Sequence, residues 1–171
     1  MLPAVTRVLR FVDGVNRRVG RTVAWLATLL VVAQFIVVGL RYIFGVGSLM
    51  LQESVVYMFG ILFMAGAGYT LLYDGHVRVD IFYRDASKTY QALINLIGNL
   101  CFLLPVCIII WVMGWPYVAA SWAVLEGSRE TSGLPGIFLL KSMILVFATL
   151  LMLQAIAESL RAFVALYSKT D

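Results

Sequence analysis

Four uninterrupted apolar runs constrain this chain more than anything else in it. They lie at 22–44, 55–73, 90–113 and 137–160. A helix rises ~1.5 Å per residue, so each run is long enough to cross a hydrocarbon layer of ~30 Å. A barrel strand needs only ~10 residues and alternates strictly, which none of the four does. In lipid a backbone must satisfy its own N–H and C=O groups, and an α-helix does so within one segment. The expected fold is an all-α integral membrane protein with four transmembrane helices.

Composition agrees with lipid as the solvent. The chain is 62% hydrophobic and 13% charged, with a mean hydropathy of +0.94. Soluble domains carry about 25% charged residues. No repeat, low-complexity stretch or linker divides the chain, so 1–171 reads as a single membrane domain.

Residues 1–21 have a pattern of their own. Leu2, Val5, Leu9, Val12, Val15 and Val19 recur every three or four residues, and Arg7, Arg10, Arg17, Arg18 and Arg21 fill much of the other side. That pattern predicts an N-terminal amphipathic helix lying along an anionic membrane surface, apolar face down. No apolar core with a small-residue cleavage site follows the arginines at once, so a cleavable signal peptide is not expected.

Basic residues set the orientation. With the N-terminus inside, ten of the 13 lie on the cytoplasmic side, the five above together with Arg78, Arg84, Lys88, Arg161 and Lys169. Only Arg41, Arg129 and Lys141 fall outside. This bias predicts an inner-membrane protein with both termini cytoplasmic. The sequence pI of 9.3 then calls for no nucleic-acid partner.

The connections differ in length. Residues 45–54 form a short one, which predicts antiparallel neighbours. The stretch 114–136 is the longest, and its Trp115, Ala119, Trp122 and Leu125 keep a helical spacing. It predicts a short helix in the outer interface, where tryptophan rings settle, broken by Gly133 to Gly136.

Several chemistries are excluded. Cys101 and Cys107 are six apart within one helix, on opposite faces, so they do not pair with each other. The single histidine, His76, excludes a haem held by two imidazoles, and no metal-ligand spacing surrounds it. No phosphate-binding glycine loop or Ser–His–Asp pattern is present. The chain reads as neither an enzyme nor a cofactor protein.

Polar residues inside the spans say more. Gln91, Asn95 and Asn99 share one face of helix 3, while Gln154, Glu158 and Arg161 lie near one face of helix 4. Both sets fall toward the inner leaflet, where they are expected to meet as interhelical contacts. Gly66 and Thr70 make a small-xxx-small pair that lets another backbone approach helix 2. Arg41 and Glu53 flank the short outer loop, close enough in sequence for an ion pair.

Gln52-Glu53 before a glycine-rich second helix, followed by Asp74-Gly75-His76-Val77-Arg78-Val79-Asp80, resembles the small membrane subunit of tripartite ATP-independent periplasmic (TRAP) transporters. Where that family often shows a Trp and two acids, this chain has Leu51, Gln52 and Glu53. The likeness extends over roughly 21–161. It implies an accessory subunit that holds a large membrane subunit, with sodium and substrate bound on that partner. A periplasmic binding protein then delivers an organic acid. Glu53, Gly66, Thr70, His76, Arg78, Asp80, Asn95, Asn99 and Glu158 become candidate structural or partner-interface residues. Two other classes compete. A small membrane enzyme needs Arg, Tyr and acids around one cavity, whereas the basic residues here spread along the interfaces. A homodimeric exporter usually places a carboxylate at mid-helix, whereas Glu53 and Glu158 lie near helix ends.

Overall fold

A computed structural model describes residues 2–76, 83 and 85–167. Arg78 and Asp80 lie outside these residues. Among the described residues five α-helices follow in order: α1 (Leu2–Ile43), α2 (Leu49–Leu72), α3 (Lys88–Gly98), α4 (Leu104–Ala123) and α5 (Ile137–Tyr167). A π-helical turn, Asn99–Leu103, joins α3 to α4, so Lys88–Ala123 is one rod. Four rods are thus long and apolar enough to cross a membrane, and the chain is a multi-pass membrane protein. Among the described residues there is no strand.

Each rod ends for a local reason. Gly45, at φ 67°, turns the chain after α1, and the Val46 N–H closes back on the Leu40 carbonyl at 3.0 Å. Ser48 caps α2 by accepting from the Leu51 N–H at 3.4 Å. At its other end Asp74 takes φ 57°, and the Gly75 N–H returns to the Thr70 carbonyl at 2.8 Å. Ser87 caps α3 through the Tyr90 N–H. The π turn sits where Pro105 has no N–H to give, and the Leu104 N–H reaches back to Asn99 instead.

Two expectations are corrected here. Residues 2–21 do not form a separate interfacial helix, because α1 runs unbroken from Leu2 to Ile43. Its face at Val12, Asn16 and Gly20 is buried in the bundle rather than laid on lipid. The stretch 114–136 is likewise no separate helix up to Ala123. Trp115, Ala119 and Trp122 extend α4, which continues through Pro116. An internal proline is tolerated where neighbouring helices and local adjustment absorb the freed carbonyl.

Packing follows the connections only in part, since α2 meets α5 and not α3. α1 lies against α2, α2 and α4 both lie against α5, and α3 also reaches α5. The core is thin, centred on Ala67, Cys107 and Leu151, as expected where lipid rather than water covers the outer faces. Cys101 is exposed and Cys107 buried, and both are free.

Candidate functional site: polar ties between the helices

Glycines bring α1 and α2 close. A Cβ on Gly20 would overlap the Tyr69 ring, and one on Gly68 would overlap Asn16 Oδ1. Asn16 and Gln154, both fully buried, meet where Asn16 Nδ2 donates to Gln154 Oε1 at 2.9 Å. Gln154 Nε2 donates in turn to Glu158 Oε1 at 3.0 Å and to Asp13 Oδ1 at 3.5 Å. Arg161 completes the chain, with Nη1 on Glu158 Oε1 at 2.5 Å and Nη2 paired to Asp13. Five polar side chains therefore join the start of α1 to the end of α5. The first residues of α1 and the last of α5 belong to this end of the bundle, called here the terminal end.

This arrangement differs from the expected pairing of the two polar faces. Gln154 and Glu158 turn to α1, whereas the α3 amides serve the preceding loop. Gln91 Nε2 donates to the carbonyls of Tyr83 and Ala86 at 3.0 and 3.1 Å, and Asn95 Nδ2 to the Tyr83 hydroxyl at 2.9 Å. The two faces still border one space. A cleft of about 780 Å³ opens between α3 and α5, lined among others by Asn95, Asn99, Glu158 and Arg161. His76 is exposed at its edge and also borders an apolar groove of about 540 Å³ over Gly66 and Thr70. A Cβ on Gly66 would meet nothing within 4 Å, and the Thr70 hydroxyl donates back to the Gly66 carbonyl at 3.1 Å. The close approach to α1 thus uses Gly68, and the face at Gly66 stays open.

At the opposite, distal end a second cluster ties α2 to the connection between α4 and α5. Glu53 does not pair with Arg41, which is exposed. Its Oε1 accepts from the Ser128 hydroxyl and its Oε2 from the Leu134 N–H, each at 2.5 Å. Gly133 permits this approach, since a Cβ there would overlap Ser128 Oγ and fall 2.7 Å from Glu53 Oε1. Nearby, Lys141 Nζ pairs with Glu126 at 2.5 Å and sits 4.1 Å from the centre of the Tyr117 ring. Ser121 donates to the same Glu126 oxygen at 2.7 Å. Lys141 and then Ser121 hold the Glu126 carboxyl below its ordinary range. Two indoles stitch α4 to α5, Trp122 to the Ser142 hydroxyl at 2.8 Å and Trp111 to the Thr149 hydroxyl at 3.1 Å.

The sequence reading passed over Asp13, Asn16, Gly20 and Ser128. A signal existed for one of them. At ~100° per residue, Asn16 falls in the middle of the apolar face of Val5, Leu9, Val12 and Val19. An amide there marks a face that meets protein, because lipid leaves it unsatisfied.

Among the described residues no group of His, Cys, Asp and Glu side chains is placed to hold a metal ion. Residues 30–165 match the family model described as tripartite ATP-independent periplasmic transporters, DctQ component. Neither the curated proteins nor the solved structures give a match.

Proposed function

The chain belongs to the DctQ family of TRAP-transporter components, and from that premise we propose that it is the accessory scaffold of a sodium-driven importer of organic acids. The small membrane subunit of such a system works with a large membrane subunit and a binding protein. In this reading the large subunit binds sodium and substrate and moves, while the periplasmic protein hands over a carboxylate-bearing solute. This chain adds membrane-embedded area around that moving partner and holds it against the bilayer. It lies in a bacterial inner membrane with both termini cytoplasmic. Five arginines on the first 21 residues favour that orientation.

The match over residues 30–165 carries the reading. The use made of polar side chains supports it. Asp13, Asn16, Gln154, Glu158 and Arg161 bind one another, and Glu53 binds the neighbouring hairpin. Groups spent on bracing helices suit a scaffold better than a transport path. Glu53, Gly66, Thr70, His76, Asn95, Asn99 and Glu158 are then structural or partner-facing positions. Arg78 and Asp80 take the same role in the loop between the second and third rods.

Reconstitution tests the proposal. Liposomes holding this subunit alone take up no organic acid under an inward sodium gradient. Adding the large subunit and the binding protein establishes uptake. Sodium-driven uptake by this chain alone overturns the accessory reading.

A further inference from the structure

The N-terminal half of α1 is held in one rotational setting. Asp13 is paired to Arg161, Asn16 is bonded to Gln154, and Gly20 lies under Tyr69. At ~100° per residue the buried positions Val12, Asn16 and Gly20 define one side of the helix. Arg7, Arg10, Arg17, Arg18 and Arg21 are all exposed and fall within an arc of roughly 100°, centred roughly 150° away. The bundle therefore turns all five arginines outward together.

Among the described residues no acid answers them. Asp13 is the only carboxylate on α1, and Arg161 and Gln154 occupy it. Among the described residues none of the five meets a carboxylate. Arg10 donates to the Thr6 carbonyl at 3.4 Å, a contact that leaves its charge uncompensated.

Their level follows from the packing. Gly68, which Asn16 touches, is four residues from the end of α2, or ~6 Å along its axis. Arg17, Arg18 and Arg21 flank Asn16 and so lie at the border of the hydrocarbon layer, not out in solvent. Trp25 and Phe11, 73% and 69% exposed, share this face, as expected of a surface at the headgroup boundary. A guanidinium at that level extends to phosphate, for which its planar fork is suited.

We propose that the outward face of α1, centred on Arg17, Arg18 and Arg21, is a binding site for anionic phospholipid headgroups. It rests on the reading of residues 22–43 as the first membrane span. The site selects lipids by charge beside the accessory subunit and gives it an anionic annulus on one side.

Trp25, one turn beyond Arg21, reports on this face. A full-length variant keeping only that tryptophan (Trp111, Trp115 and Trp122 each replaced by Phe) is reconstituted in phosphatidylcholine vesicles. Brominated phosphatidylglycerol or brominated phosphatidylcholine is then titrated in as quencher. Each arginine near the surface contributes about fivefold, so three predict a preference for phosphatidylglycerol on the order of 100-fold. R17Q/R18Q/R21Q removes the preference, and added salt weakens it in the parent protein even if that variant misfolds. Equal quenching by the two lipids overturns the proposal, as does a preference that survives the triple substitution. Co-reconstitution with the large subunit supplies a further test. Shielding of Trp25 from both lipids in that complex assigns the face to protein and likewise overturns it. The vesicles have the same lipid in both leaflets, so the result is independent of which terminus is cytoplasmic. A failed uptake assay leaves it untouched.

Discussion

Gly68→Ala probes the closest helix crossing in the bundle. The added methyl would overlap Asn16 Oδ1 and lie 3.0 Å from Asn16 Cγ and 3.2 Å from Leu150 Cβ. Alanine favours the helix by about 1 kcal/mol over glycine, which works against any loss. Overpacking costs about 1–3 kcal/mol, and displacing Asn16 breaks a bond between two fully buried amides, at about 1–3 kcal/mol more. The net expectation is destabilisation of about 1–5 kcal/mol. Gly66→Ala is the internal control, since its methyl meets nothing within 4 Å and should be neutral or stabilising by up to ~1 kcal/mol. Reversible unfolding in mixed detergent micelles, followed by circular dichroism, measures both. In an Asn16→Ala background most of the Gly68→Ala penalty should vanish, leaving the Leu150 contact. Equal effects of the two alanines, or an undiminished penalty without Asn16, would refute the account of this crossing.

Arg161→Gln leaves Asp13 and Glu158 facing each other without their shared cation, so the start of α1 should loosen. Trypsin should then cut at Arg17 and Arg18 faster than in the parent protein, and unchanged cleavage would show that the tie is dispensable. Glu126 titrates below its ordinary value because Lys141, then Ser121, bonds its charged form. A depressed folded value contributes stability above the unfolded pKa of 4.5 and loses it as pH falls through the folded one. Heat stability scanned downward from pH 5 should therefore drop in the parent protein by more than in Glu126→Gln; parallel profiles count against the Lys141 pairing.

The four membrane rods were legible because each is an apolar run of sufficient length, a property local to the segment. What the polar residues do was less legible, because it depends on distant parts of the chain. Arg41 is the nearest base to Glu53 across the loop, yet the groups that bind Glu53 come from Ser128 and Leu134. A periodic stripe on residues 1–21 reads as a lipid-facing surface until the partner of its central amide, Gln154, is known. The third apolar run reads as ending at 113, although α4 passes on through Gly114 and Pro116 to Ala123. The small residues of α2 mark it as a helix that another backbone can approach closely, and α1 does so at Gly68. Which glycine makes the crossing depends on the rotation of α2 about its axis, and the sequence leaves that open.

The unbroken course of α1 bears on membrane thickness. At ~1.5 Å per residue its 42 residues extend ~63 Å, about twice the hydrocarbon layer. A hinge near residue 21 would let the span adjust to a thinner or thicker bilayer by itself, but the helix has none. Mismatch must then be met by tilting the whole rod, and the rod is fixed near one end by Asp13, Asn16 and Gly20. Its other half, from Trp25 to Ile43, exposes most of its large side chains, yet it stays tied to α2, against which it lies and to which residues 44–48 join it. A change of bilayer thickness thus tilts α1 and α2 together, and their crossing at Asn16 and Gly68 travels with them.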